Sequence, residues 1–266
     1  MVKESWYEQK KIIDHDTGIL FITFMIVKKD NGEKPDYNWR MFRNSEGGEI
    51  LKNIDLVVTD PPYQFASKKL SAGWCLADNK LWEEITKTIG LEFNPEEMLE
   101  TIRAWMEKFN WYFFCNKTTL PAYIKRIEKY NYKWDILLWL KPNPIPACKS
   151  HYLFDKEYCV YIHDSWTTFN HKLGYENYFT YESHPIWNRK YNHPTVKPLE
   201  MIERLIKISS NEWDTVLDMY LWSGTTAVAC KKTNRNYIWI EINPEYVEIA
   251  KNRLEEVDRI NQQRLF

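Results

Sequence analysis

Six short apolar runs punctuate this chain, and the stretches between them carry helical period. The runs are Ile54–Val58, Trp111–Cys115, Asp135–Leu140, Tyr158–Ile162, Thr215–Leu217 and Tyr237–Ile240. Each is too short for a helix and rich in β-branched or aromatic residues, so each predicts a buried strand. Helices are expected over 80–110, where Asn94-Pro95-Glu96-Glu97 supplies an N-cap and an acidic first turn, and over 119–130, Leu199–Ser209 and Thr225–Lys232. A last helix follows Asn243-Pro244 and sets Val247, Ala250, Leu254 and Val257 on one face. Short strands alternating with helices bury both sides of a sheet, which predicts an α/β fold: a mostly parallel sheet with helices on both faces. Ligands of such sheets bind in the loops after the carboxyl ends of the strands. Three such loops carry unusual chemistry: 59–63, 218–226 and 241–243.

Outside this frame, an apolar strand at 18–27, a turn over Lys28–Pro35 and a strand near Tyr37–Phe42 predict a hairpin. Residues 1–37 are therefore expected as an N-terminal hairpin extension and 38–266 as the main domain. Residues 164–194 have no clear period and many aromatic and Asn residues, which predicts an irregular insertion. The longest apolar run, Gly18–Val27, is about half a membrane span, and the polar opening Met1–Trp6 predicts no signal peptide. The five Cys (75, 115, 148, 159 and 230) are scattered and never spaced CxxC. That predicts reduced thiols in a cytoplasmic protein, with neither a disulfide frame nor a metal site. Net charge is −1, from 36 basic and 37 acidic residues, so nucleic-acid binding would need a local patch. Residues 117–149 offer net +5 and 186–207 net +3.

Asp60-Pro61-Pro62-Tyr63 directly follows the first run. Two prolines fix φ and remove two N–H donors, leaving carbonyls held in defined directions beside a carboxylate and an aromatic ring. That set suits a planar exocyclic amine, a poor nucleophile because its lone pair is delocalised. The Asp60 carboxylate and Pro61 carbonyl can accept its hydrogens and stabilise the positive charge that grows on nitrogen. Tyr63 can stack on the ring. A base inside a duplex cannot reach such a pocket and must be flipped out.

With these residues in view, the chain resembles the DNA amino-methyltransferases that use S-adenosylmethionine, in their circularly permuted (β-class) order. The resemblance covers roughly residues 38–257. It rests on Asp55–Tyr63, Trp139–Pro144, His193–Pro198, Val216–Asp218 with Ser223–Thr226, and Glu241–Tyr246, in that order. It implies a Rossmann-like methyltransferase fold, Asp60, Pro61, Pro62 and Tyr63 as catalytic residues, and S-adenosylmethionine as cofactor. The cofactor-binding set would be Asp218, Trp222, Ser223, Gly224, Thr225, Thr226, Glu241 and Asn243, with Thr195 and Lys197 at the methionine end. Backbone N–H groups at the start of the 225–232 helix suit a carboxylate, and Glu241 at a strand end suits ribose hydroxyls. The implied partner is double-stranded DNA, with 164–194 as a small target-recognition insertion. A homodimer and a restriction endonuclease of the same restriction–modification system stay open. Asp rather than Ser at position 60 favours adenine N6 by family habit. Cytosine N4 is the alternative, and a non-catalytic DNA-binding relative is the second.

The chain departs from the family in one systematic way. Trp213, Trp222 and Trp239 stand where the family commonly has glycine, and Arg43-Asn44 where it usually has Gly-Asp. Glycine numbers only 8 and tryptophan 13 in 266 residues, against a usual glycine level of about 7%. Two explanations stand side by side. Some of these tryptophans are glycines in a lineage that reads UGA as glycine, or the chain is a Trp-rich variant with weakened cofactor binding. The codons at 213, 222 and 239 decide between them.

Overall fold

The computed structural model describes residues 10–14, 19–23, 53–61, 98–99, 102–103, 106–144, 152–186, 191, 196–241 and 243–263. Its strands are β1 (Lys10–Asp14), β2 (Ile19–Thr23), β3 (Leu56–Thr59), β4 (Asn110–Cys115), β5 (Lys133–Leu140), β6 (Lys156–His163), β7 (Tyr181–Ser183), β8 (Thr215–Asp218) and β9 (Asn236–Glu241). The helices are α1 (Leu120–Tyr130), α2 (Leu199–Ser209), α3 (Thr225–Lys232) and α4 (Pro244–Gln263). One sheet takes them in the order β1-β2-β9-β8-β3-β4-β6-β5-β7. The pairs β2–β9, β9–β8, β8–β3, β3–β4 and β5–β7 are parallel, while β6 runs antiparallel between β4 and β5.

Strand alternation builds two cores. Val57, Trp111, Phe113, Cys115, Val160, Ile162 and Leu217 face one side, where Tyr123 and Ile127 of α1 join Met98, Leu99 and Ile102. Leu56, Val58, Tyr112, Phe114, Tyr161 and Val216 face the other, under α2, α3 and Ala250 and Leu254 of α4. Every residue of β3 and β4 is buried. A central parallel strand has helices on both sides, so both of its faces must be apolar. Among the described residues, Cys115, Cys159 and Cys230 are free and buried. No helix of the described residues is long and apolar enough to cross a membrane.

Three expectations need adjustment. The strand expected at 18–27 is present as β2, but its antiparallel partner is β1, upstream of it. β2 also pairs with β9, so these two strands join the main sheet. The second strand expected near Tyr37–Phe42 lies outside the described residues. Of the 80–110 helix, Met98, Leu99, Ile102 and Arg103 are helical, but residues 106–109 are not and β4 begins at Asn110. The 164–194 segment is not wholly irregular. It holds a one-turn 3-10 helix, Tyr175–Tyr178, and β7 at the sheet edge. A three-residue strand presents too few side chains for a period to show. The first part of this segment is strapped to α2: the Asn170 amide donates to the carbonyls of Lys207 and Ser210, and Arg204 donates to those of Asn177 and Phe179.

The loop from β8 into α3 turns at Gly224, whose φ is +77°. A Cβ there would lie 2.6 Å from the Cβ of Ala250 on α4. Only glycine meets both conditions. Gly224→Ala combines left-handed strain with overpacking and is expected to cost about 3 kcal/mol. Thermal melts should register this as a drop of roughly 6–12 °C.

Candidate active site

Three neighbouring parallel strands, β3, β8 and β9, end on the same side of the sheet. Their last residues, or the ones just after, are Asp60, Asp218 and Glu241. The β3 and β8 loops are stitched together: Thr59 Oγ1 donates to Asp218 Oδ1 at 2.9 Å and accepts from Met219 N at 3.2 Å. A pocket opens between them. Thr59, Asp60, Lys197, Asp218, Ser223 and Thr226 are among its walls. Two of the three loops singled out in the sequence therefore share one cleft.

Asp218 is buried and also accepts from Tyr220 N at 3.1 Å. Burial raises its pKa to about 7; hydrogen bonds from Thr226, Tyr220 and Thr59 pull it back, and the charge of Asp60 adds to the rise. Glu241 sits at the floor of the next loop. Its Oε2 accepts from Trp222 N at 2.8 Å and its Oε1 from Asn243 N at 2.9 Å. Asn243 in turn accepts from Glu245 N through Oδ1, the cap expected at the start of α4. The Ser223–Thr226 turn is clamped from behind. Arg253 of α4 donates to the Ser223 carbonyl and to the hydroxyls of Ser223 and Thr225.

Lys197, just before α2, reaches across to Asp60. Its Nζ is 2.6 Å from Asp60 Oδ2 and 2.7 Å from Glu157 Oε1. Lys141 Nζ meets the other oxygen of Glu157 at 2.8 Å. Two carboxylates and two ammoniums thus alternate along a short chain, on a wall made by Phe114 and Trp139. Burial would raise the Glu157 pKa, but the two ammoniums outweigh it and hold the carboxyl well below its ordinary range. Burial would lower Lys197; Asp60 and Glu157 more than offset this and raise it. Deleting one member of such a buried set strands its partner's charge, a cost of roughly 3–5 kcal/mol.

Trp222 bridges the cleft. Its indole Nε1 donates to the backbone carbonyl of Asp60 at 2.8 Å, so the side chain runs from the β8 loop to the β3 loop. Pro61 is buried beside it, whereas Pro62, Tyr63 and Thr195 lie outside the described residues. Sequence reasoning missed Thr59, Glu157, Lys141 and Arg253. Glu157 left a faint signal, an acidic residue opening an otherwise apolar run. Arg253 left another, a cation one residue before Leu254 on the apolar face of the last helix.

The profile of the DNA methylase family of N6 and N4 methyltransferases matches residues 54–252. The Type II methyltransferase M.HpaI of Haemophilus parainfluenzae is 30% identical over 236 residues, covering 78% of this chain and 71% of that protein. This chain belongs to the N6/N4 DNA methylase family. A second family member, the Type II methyltransferase M2.DpnII of Streptococcus pneumoniae, is 25% identical over 241 residues, 79% of this chain and 85% of its own. The crystal structure of an M1.HpyAVI–SAM complex matches with a TM-score of 0.56 at 28% identity, covering 77% of this chain and 90% of that one. The cytosine-N4-specific PvuII DNA methyltransferase reaches a TM-score of 0.58 at 17% identity over 76% and 80%, a likeness of fold alone. The Rossmann-like fold is thus that of the family, with Asp60 preceding Asp218 along the chain as in the permuted order.

Asp218 gives this methylase a pH signature. Its folded pKa lies above the ordinary 3.8. Between about pH 4 and 7 the folded state therefore holds a proton that the unfolded state has lost, and stability falls as pH rises through that window. Asp218→Asn, without added cofactor, should match the parent near pH 4 and exceed it by up to roughly 4 kcal/mol at pH 8. Denaturant titrations across that range check the sign; a gap that shrinks with rising pH contradicts it.

Proposed function

We propose that this S-adenosylmethionine-dependent DNA methyltransferase acts on the N6 amine of an adenine flipped out of double-stranded DNA. The observation that carries the proposal is the shared cleft: Asp60 and Asp218 end adjacent parallel strands and are joined through Thr59. The donor set fits the cofactor. Gly224, Thr225 and Thr226 open α3, where backbone N–H groups suit its carboxylate. The buried Asp218 suits its ammonium, and Glu241, already oriented by two amides, keeps acceptor capacity for ribose hydroxyls. When bound, S-adenosylmethionine supplies a methyl group made electrophilic by the sulfonium beside it.

The chain's own residues prepare the nucleophile. Asp60 and the Pro61 carbonyl accept the hydrogens of the target amine and stabilise the positive charge that grows on its nitrogen. Pro62 keeps that loop stiff, and Tyr63 stacks on the base. Lys197 holds Asp60 through Oδ2 and fixes the direction of its carboxylate. Glu157 touches neither base nor cofactor and acts as a positioning residue through Lys197. The pairing also leaves Lys141, Lys197 and Arg204 turned inward, with side chains 15% exposed or less, so they do not face phosphate. Lys117, Lys125, Lys129 and Lys133 stay exposed and suit the DNA backbone.

Asp at position 60 favours adenine. Transfer of labelled methyl to unmodified DNA, followed by digestion to nucleosides, should yield N6-methyladenine. N4-methylcytosine instead would refute the adenine assignment while leaving the family intact. Asp60→Ala is expected to lose at least about 100-fold in transfer while DNA binding stays. Glu157→Gln should lower kcat more than it changes KM for DNA and displace the pH profile of kcat. An equal loss in both parameters, with the profile unmoved, argues for a merely structural role.

One observation favours a second reading, a DNA-binding relative without activity. The Trp222 indole spans the gap in which the cofactor and the target amine would meet.

A further inference from the structure

Seven non-glycine residues in the described chain have positive φ: Asn53, Asn131, Trp166, Tyr191, Trp213, Trp222 and Asn234. Asparagine tolerates the left-handed region because its short polar side chain bonds locally, and Asn131 does so as the C-cap of α1. A bulky aromatic has no such compensation, and its appearance there is an outlier. Yet three of the seven are tryptophan, a residue that makes up only 13 of 266 positions. No Leu, Lys, Glu or Ser shares this conformation among the described residues.

Local geometry sharpens the pattern. Asp214 N donates to Asn211 O, closing a β-turn with Trp213 at its third position and φ 71°. Gly224 N donates to Leu221 O, closing another with Trp222 at its second position and φ 50°. Trp166 sits in the turn after β6 with φ 68°. Turn positions with positive φ favour glycine, with asparagine and aspartate next, and not bulky aromatics. The first and last of these indoles find little to pack against: Trp213 is 70% exposed and Trp166 is 91% exposed. By contrast, Trp111 and Trp139 lie in strands at negative φ and are buried, and the Trp139 indole donates to the His184 carbonyl. Trp239 belongs with these: it is extended in β9 and buried, so the backbone gives it no glycine signature. Tyr191 has no explanation of this kind.

We propose that positions 166, 213 and 222 are glycines in the protein made by its own cell, each encoded by UGA read as glycine. Among the described residues, the genuine tryptophans are then those at negative φ, encoded by UGG. One residue decides the consequence for function. With glycine at 222 the amide that Glu241 accepts is kept, while the indole that bridges to the Asp60 carbonyl is gone. The passage between the β3 and β8 loops then stands open. This second step rests on the cofactor placement proposed above; the first rests on backbone geometry alone.

Peptide masses of the protein isolated from its native cells, read beside the gene's codons, test the first step. Glycine at 166, 213 and 222 with tryptophan at 111 and 139 is expected; tryptophan at all five positions, encoded by UGG, overturns the proposal. Thermal melts of recombinant Trp166→Gly and Trp213→Gly should show higher midpoints than the parent chain, and lower midpoints in both would count against it. Calorimetry with S-adenosylmethionine tests the second step. Trp222→Gly is expected to bind at least tenfold more tightly than the parent. Glycine in the native peptides without that gain would uphold the decoding and overturn the cofactor placement.

Discussion

The parallel pairing of β3 with β8 is the constraint from which the rest of this molecule follows. It sets Leu56 beside Val216 and Val57 beside Leu217, so the two strands run out together and release their chains at one edge. A hydroxyl, Thr59 Oγ1, then bonds the buried Asp218 and fixes the spacing between the loops. Asp60 and the Ser223–Thr226 turn come from chain segments about 160 residues apart. They can share a cleft only because this pair is central, apolar on both faces and covered by helices on each side. A one-residue slip in its register would exchange the side chains that β3 presents to its two cores and turn Thr59 away from Asp218.

Charge at the cleft is managed by pairing rather than by solvent. Asp60, Lys197, Glu157 and Lys141 form an alternating chain in which each inner member has two opposite neighbours. Burial alone would push Glu157 toward its neutral form and Lys197 toward its own, and the partners reverse both tendencies. Asp218 has no ammonium within its hydrogen-bond set, only hydroxyl and amide donors, so burial prevails and its pKa rises to about 7. Two aspartates at adjacent strand ends are thus left in different surroundings. One is held by a cation, and the other is held by hydroxyl and amide donors alone.

Backbone conformation adds a separate record. Gly224 and Trp222 occupy the same tight loop, both at positive φ, yet only one has the side chain such a turn accepts without strain. The sequence comparison alone would rank Trp213, Trp222 and Trp239 together. The dihedrals separate them, because an extended strand accepts any side chain whereas the left-handed region does not. They also bring forward Trp166, which in the sequence passes for one more aromatic of a recognition segment.

The sequence by itself determined the central strands and α1–α4, because alternation, caps and proline act over a few residues. Leu199–Ser209 and Thr225–Lys232 are helices with the boundaries their pattern predicts. It also carried the family, through Asp60–Tyr63 and Ser223–Thr226. Tertiary structure alone decided what Lys197 touches, that Glu157 and Arg253 stand behind the site, and that β2 lies between β1 and β9. Those are contacts between residues far apart in the chain, and local pattern holds no information about which distant charge or strand edge will be brought alongside. A turn's need for positive φ is likewise a property of the path the chain must follow, and it becomes visible only once that path is known.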